Sequence, residues 1–375
     1  MTASLPLLLT GAAGILGRWL RPRLIEAYGA LRSSDINDPA PALSGEELVI
    51  ADLADAEAVD RLVKGVGRII HFGGISYETD FERILDANII GTYNVLEAAR
   101  KHGAGPIVYA SSNHAIGFYT RDDRLDTNVR PRPDSLYGVS KAFGEDLASL
   151  YADKFGLEIA CLRIGTAKPE PSDPRHLSTW QSYEDLLRMI KACFAAPRLG
   201  CTILYGVSNN DRRWWSNEAA GHVAYEPEDN AERFAATLIP NGDQRDPLAP
   251  EVKFQGGPFA AEGYKQRVME RAEGDASRFR QIVAEYNKAP GVTRDRLYLD
   301  AMQEIMSNTS KVLVDQKSGN NLLYLPLDKL MQITGSGTPA VDAMSKPAEP
   351  SPGSEALPSA SRSRDALRGR EREPR

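Results

Sequence analysis

The chain has 375 residues, 42% of them hydrophobic and 26% charged, with a net charge of −6; it can bury one large core or two smaller ones, in proportions ordinary for a soluble globular protein. The charge is uneven: residues from Tyr264 onward carry 18 Lys+Arg against 15 Asp+Glu, net +3, which leaves −9 on the rest. An acidic main domain argues against nucleic acid as a partner, and the shift points to two pieces of different make-up.

Leu5 to Leu9 reads as a buried strand, followed by a glycine turn and a helix from Ile15 to Tyr28. Further strands are expected at Leu48 to Ile50, Arg68 to Phe72, Pro106 to Ala110 and Glu158 to Ile164. Helices fit between them at Ala56 to Val63, Phe81 to His102 and Ser135 to Phe155. This alternation predicts an α/β fold, a Rossmann-like, doubly wound parallel sheet. From Lys168 the rhythm breaks into Pro-rich loops and isolated helices such as Ser182 to Phe194, the usual place for a substrate pocket. Near Gly263 the texture changes again. Val268, Ala272, Phe279, Ile282, Val283 and Tyr286 line one face of a long charged helix. A second helix, Arg294 to Met306, carries Leu297, Met302, Ile305 and Met306, and the two faces are expected to bury each other, with loose docking on the main domain or self-association as the alternatives. Short apolar runs follow at Val312 to Val314 and Leu322 to Leu327. From Gly335 the composition is that of a disordered tail. The expected division is therefore 1–263, a mostly helical appendage 264–332, and a tail 333–375.

Cys161, Cys193 and Cys201 lack paired spacing, and there is no signal peptide, so reduced thiols in the cytoplasm are expected. Five histidines without ligand spacing argue against a metal. No apolar run reaches the ~18 residues of a membrane span, so no membrane anchor is expected.

Three groups of residues carry chemistry. The turn Thr10-Gly11-Ala12-Ala13-Gly14-Ile15-Leu16-Gly17 follows a strand and opens a helix. Gly11 permits the turn, Gly14 lets backbone approach a pyrophosphate, and Gly17 allows close packing of helix on strand. Asp35, at the end of the second strand, suits the two ribose hydroxyls of an adenosine and repels a 2′-phosphate, which favours NAD. Arg32 nearby pulls the other way, and a solvated loop aspartate is the plain alternative. Asp52-Leu53 suits the adenine edge, and Phe72-Gly73-Gly74 offers flat backbone beside the cofactor. Tyr137 and Lys141 share a helix face. The lysine charge is expected to lower the phenol pKa towards neutrality, making Tyr137 a usable base. Ser112 lies at a strand's C-terminal edge, completing a Ser-Tyr-Lys site; His114 beside it reads equally well as an ordinary satisfied polar residue.

The glycine turn, His71 to Ser76, Asn88 to Arg100, "YASSNHAIGFY" and "LYGVSKAFGE" resemble extended short-chain dehydrogenases. Leu162 to Trp180 ("LRIGTAKPEPSDPRHLSTW"), "DNAERF" and "FQGG" (Phe254 to Gly257) resemble the uronate dehydrogenases in particular, from Leu7 to about Phe259. That resemblance implies oxidation of D-glucuronate and D-galacturonate at C1 to the aldarolactone, by a homo-oligomer using NAD. It implies a cofactor held by Gly11, Gly14, Ile15, Leu16, Gly17, Asp35, Asp52, Leu53, Phe72, Gly73, Gly74, Asn88, Lys141 and Ala167. Tyr137 would take the C1 hydroxyl proton, with Lys141 lowering its pKa and Ser112 bonded to the same oxygen. Ser76, Asn113 and His114 would hold sugar hydroxyls, Thr166 would line the pocket, and Arg175 would clamp the C6 carboxylate. Thr166-Ala167 departs from the Ser-Cys of the family and adds a methyl to a tight pocket. The rival within the fold is a nucleotide-sugar epimerase or dehydratase.

From Tyr264 to Gln332 the chain is similar to something else. "AEGDASRF", "AEYNKAPGVTRDRLYLDAM", "NTSKVLVD" and "NNLLYLPLDKL" resemble the C-terminal end of HflK, a band 7 (SPFH) modulator of a membrane-bound protease. The whole therefore reads as a fusion. A non-enzymatic partner of a membrane-protease complex is the alternative from another class.

Overall fold

The computed structural model describes residues 5–308. Leu7–Thr10, apolar except for its last residue and wholly buried, is β1; the chain turns through Gly11–Gly14 into α1 (Ile15–Tyr28) and returns as β2 (Leu31–Asp35). Next come β3 (Glu46–Ile50), α2 (Ala56–Val63), β4 (Arg68–His71), a single turn α3 (Phe81–Ile84) and α4 (Gly91–His102). β5 (Ile107–Ser112), α5 (Leu136–Phe155) and β6 (Ile159–Ile164) follow. A two-residue ladder joins β7 (Thr166–Ala167) to β8 (Trp180–Gln181) across α6 (His176–Thr179), before α7 (Tyr183–Ala195) and β9 (Cys201–Gly206). Short helices α8 (Ala235–Leu238), α9 (Pro250–Lys253) and α10 (Pro258–Ala261) precede two long ones, α11 (Tyr264–Lys288) and α12 (Pro290–Asn308).

Seven strands form one parallel sheet in the order β3-β2-β1-β4-β5-β6-β9. Its central strands are buried on both faces, as parallel sheets require, while the edge strand β3 is partly exposed. Leu7, Leu9, Ile70 and Leu162 meet Leu20, Leu24, Leu186 and Ile190 of α1 and α7 on one side. On the other, Leu8, Ile69 and Ile107 meet Val59, Val95, Leu96 and Ala148 of α2, α4 and α5. The strand order reverses between β1 and β4, so a crevice opens beyond their carboxyl ends, where such sheets bind ligands.

The expected α/β architecture is present, with α1 and α2 at the predicted bounds. Three features differ from expectation. β9 was missed, because Cys201–Gly206 sits among loops where the strand–helix alternation had stopped. The predicted helix Phe81 to His102 contains a π-helical stretch, Leu85–Ile90, a departure common near functional sites. Apolar side chains expected on buried faces are exposed on each long helix taken by itself: Phe279, at 67%, and Tyr286 on α11, and Leu297 and Met302 on α12.

By compactness the chain divides into Met1–Asp295 and Arg296–Arg375, a cut inside α12. The apolar runs near Val312 and Leu322 and the tail from Gly335 lie outside the described residues. No described helix is long and apolar enough to cross a membrane.

Candidate active site

The crevice is a cleft of about 1160 Å³. Small-molecule pockets run to roughly 300–1,000 Å³, so this cleft lies above that range and has room for a dinucleotide beside a monosaccharide. Gly11, Gly14, Ile15, Leu16, Gly17, Asp35, Asp52, Leu53, Phe72, Gly73, Gly74 and Ala167 line it, with Ser76, Ser112, Asn113, His114, Tyr137, Lys141, Thr166 and Arg175.

At the β1 end the glycines do different work. Gly11 has φ +76 and packs so closely that a Cβ would lie 2.6 Å from the Phe72 backbone. A Cβ on Gly17 would stand 2.2 Å from the Gly11 carbonyl oxygen, so this glycine sets how near α1 lies to the turn. Gly14 is different: a Cβ there would meet only the Gly11 oxygen, at 3.3 Å, and otherwise open space. Gly14 caps α1 without any side-chain hydrogen bond, which leaves the first N–H groups of the helix for an anion. Asp35 is held by backbone: Oδ2 accepts from Ala13 N–H and Oδ1 from Asn37 N–H, both at 3.0 Å. Each oxygen keeps lone pairs for a ribose hydroxyl. Arg32 is tied elsewhere, to Glu47 at 2.7 Å and to the Leu62 and Lys64 carbonyls, and does not offset the carboxylate. This cradle fits a dinucleotide without a 2′-phosphate.

Ser112 ends β5 and caps the following 3₁₀ turn, Asn113–Ile116. Tyr137 sits in the first turn of α5, whose start is fixed twice. Ser135 Oγ accepts from Gly138 N–H at 3.0 Å, and the Glu78 carboxylate accepts from the N–H groups of Leu136 and Tyr137, both at 2.9 Å. An acid at a helix N-terminus also answers the helix dipole. Lys141, one turn on, is buried with Nζ 5.6 Å from the centre of the Tyr137 ring and 5.2 Å from that of Tyr109. The expected depression of the phenol is corrected here. Burial pushes Tyr137 up to about 12, Ser112 draws it down, and the charge of Asp134 raises it again. Burial likewise lowers Lys141 to about 8. The reason is the dry setting, which disfavours both charged forms.

The other end of the cleft is built for an anion. Arg175 is buried, and its Nε donates to the Gln255 carbonyl at 2.8 Å and Nη1 to Thr166 Oγ1 at 3.3 Å. With the Asn113 amide turned to satisfy both its ends, Oδ1 accepts from Arg175 Nη2 at 2.7 Å and Nδ2 donates to the Ile164 carbonyl at 3.1 Å. Three of five donors are thus engaged, and one N–H on each terminal nitrogen is left over, the fork that matches a carboxylate. Among the described residues no carboxylate forms an ion pair with this guanidinium. Burial, with Arg121 adding to it, lowers its pKa to about 10. Thr166 Oγ1 also bonds Thr179 Oγ1 at 3.0 Å, so its hydroxyl belongs to the clamp.

Asn88 stands apart from its expected role. It is buried in the π-helical stretch and does not line the cleft. Its amide accepts from Ile75 N–H at 2.7 Å and donates to the Ile75 carbonyl and Ser140 Oγ, both at 2.9 Å. It pins the Phe72–Ile75 segment to α5 and reaches a cofactor only through that segment.

Four residues were not singled out from sequence. Asp134 bonds His114 Nδ1 at 2.9 Å; Phe259 stacks on the His114 ring with centres 3.8 Å apart. Gln255 holds Arg175, and Glu78 holds α5. Gln255 lay inside the quoted "FQGG", where the glycines are equally specific: a Cβ on Gly256 would lie 1.7 Å from Asp134, and one on Gly257 2.9 Å from Arg175.

A glycine turn feeding a helix, an aspartate closing β2 and a Ser-Tyr-Lys group at the strand ends define a short-chain dehydrogenase of the Rossmann class. Residues 7–179 match the model of the NAD dependent epimerase/dehydratase family. Uronate dehydrogenase of Pseudomonas putida is 50% identical over 262 residues, covering 68% of this chain and 96% of that protein. A crystal structure of uronate dehydrogenase from Agrobacterium tumefaciens, a Tyr-to-Ala mutant complexed with NAD, matches with a TM-score of 0.67 at 50% identity, over 69% of this chain and 97% of that one. The chain belongs to the NAD dependent epimerase/dehydratase family and, within it, to the uronate dehydrogenases. A separate similarity joins it to HflK of Vibrio parahaemolyticus, 59% identical over 92 residues, 19% of this chain and 23% of that protein.

Proposed function

We propose that this protein oxidises D-glucuronate and D-galacturonate at C1 to the aldarolactone, with NAD as cofactor. The observation that carries the substrate class is Arg175: a buried guanidinium with two unfilled donors and, among the described residues, no carboxylate in direct ion-pair contact with it. Leaving such a cation unpaired is costly, and a ligand carboxylate offsets that cost. Asn113, Thr166 and the Gln255 carbonyl hold its fork in plane, so the C6 carboxylate is received in two parallel hydrogen bonds. Ser112 donates to the C1 oxygen and orients it towards Tyr137. When bound, NAD⁺ supplies the hydride acceptor and a positive charge to the site. Tyr137 takes the hydroxyl proton as C1 loses its hydride and becomes a lactone carbonyl. Lys141 stabilises the phenolate so formed and offers its ammonium to the nicotinamide ribose. Ser76 and His114 meet ring hydroxyls, while the Gly11–Gly17 turn and Asp35 fix the pyrophosphate and adenosine ends.

The test is the product. Incubation with galacturonate and NAD⁺ should yield NADH and a lactone in equal amounts, the lactone trapped by hydroxylamine as a hydroxamate. NADH formation with no trappable lactone would place the oxidation at another carbon and overturn the assignment.

A further inference from the structure

The His114 ring is fixed on three sides. Phe259 lies against its face, Tyr137 meets it edge-on with ring centres 5.7 Å apart, and Asp134 binds Nδ1. Asp134 itself has no freedom. Its side chain is 0% exposed, Ser135 Oγ donates to Oδ1 at 2.9 Å, and the bare α-carbons of Gly117 and Gly256 close on Oδ2. A Cβ at either glycine would lie within 1.8 Å of that oxygen, so the two glycines exist as room for this carboxylate. A carboxylate only accepts, so the hydrogen between it and His114 belongs to Nδ1. With its one hydrogen on Nδ1, the ring presents Nε2 as an acceptor. Among the described residues Nε2 has no hydrogen-bond partner, and His114 lines the cleft.

We infer that Asp134 is a positioning residue that holds His114 in the Nδ1–H tautomer, so that Nε2 demands a hydroxyl donor from the bound sugar. The inference rests on the uronate reading for the identity of that sugar. Asp134 is not there to help the base, because its charge pushes the Tyr137 phenol up. Its service is to the histidine, and at longer range to Arg175, whose charge it favours. A partner that could also donate would lose this selectivity: an amide in place of the carboxylate can satisfy either tautomer, and in the Nε2–H tautomer the ring no longer accepts from a sugar hydroxyl.

The test uses the full chain and compares wild type, Asp134→Asn, His114→Ala and the double variant. Asp134→Asn should raise KM for galacturonate about tenfold, change kcat less than about threefold, and leave NADH affinity, read by fluorescence, unchanged. Adding it to His114→Ala should change KM less than about twofold, the remainder being its longer-range support of the Arg175 charge, because the aspartate acts chiefly through the histidine. An equal KM increase in both backgrounds would overturn the inference, as would a fall in kcat and NADH affinity together, which marks a structural role. Should Asp134→Asn fail to fold, ¹⁵N-histidine NMR of the wild type reads the tautomer directly, with His114→Ala identifying the resonance. An Nδ1–H signature supports the inference; an Nε2–H signature overturns it. A wild type that leaves uronates untouched is a different result and sinks the functional proposal instead.

Discussion

Tyr137 shows why a residue's environment has to be measured against its task. Burial alone would leave it a poor base, with a phenol at about 12 beside an ammonium at about 8. Turnover requires the phenolate, so kcat/KM should rise with pH below neutrality and bend near 8, where the free enzyme loses the Lys141 charge. A profile flat from pH 6 to 9 would contradict this pairing. Tyr137→Phe should lower kcat at least ~100-fold while NADH still binds, since only the proton acceptor is removed. At the opposite end of the cleft, Arg175→Lys keeps the charge but loses the fork and its bonds to Gln255 and Asn113. Charge-assisted hydrogen bonds contribute about 1.5–3 kcal/mol, so KM for galacturonate should rise roughly 10- to 100-fold with a smaller change in kcat. Steady-state kinetics on the purified variant checks it.

At the scale of the elements, the βα rhythm was legible because each strand is a short apolar run and each early helix has one apolar face. The turn between β1 and α1 and the Tyr137–Lys141 pair were readable because their spacing is local. What could not be read depends on chain distant in sequence. Asp134 and Gly256 lie 122 positions apart yet touch, and neither carries a local sign of the other. β9 escaped because a parallel edge strand needs no alternation and its neighbour β6 lies beyond two intervening helices. β4 and β1 also hide a pH sensor of stability. His71 Nδ1 bonds Thr10 Oγ1 at 2.8 Å and Nε2 bonds Thr92 Oγ1 at 3.2 Å, fully buried, and burial with the Lys141 charge lowers its pKa to about 3. The unfolded chain takes up that proton near 6.5, so stability is whole above that pH and is lost as pH falls towards 3. At pH 5 the loss is about 2 kcal/mol from this histidine. Denaturant unfolding at pH 7 and pH 5 should show it, and His71→Gln should shrink the difference between the two. An unchanged difference would show that His71 is not buried neutral.

For the whole molecule, the segment Phe254–Phe259 is the last on which the site's hydrogen bonds and ring contacts draw. Gln255 donates to the Thr120 and Asp123 carbonyls, accepts from Trp215 Nε1 and holds Arg175, while Phe259 covers His114. Beyond Gly263, described side chains on α11 from Met269 are nearly all exposed. We therefore propose that 1–263 suffices for catalysis. A chain ending at Gly263 should keep kcat and KM within about twofold and a similar thermal midpoint. One ending at Lys253 should lose uronate turnover, because the clamp loses its backbone acceptor. Collapse of the 1–263 chain would mean that the appended helices have been recruited into the enzyme's fold.

The unpaired guanidinium of Arg175 is the feature on which the substrate class depends, and one comparison interrogates it directly. Initial rates of NADH formation by the wild-type protein would be measured with galacturonate and with galactose, which differ only in the group at C6. A carboxylate that completes a buried, half-filled fork should raise kcat/KM by at least ~10²-fold over the neutral sugar, from two charge-assisted hydrogen bonds of about 1.5–3 kcal/mol each. Equal rates with the two sugars would contradict it, and Arg175 would then be a structural cation with no part in choosing the substrate.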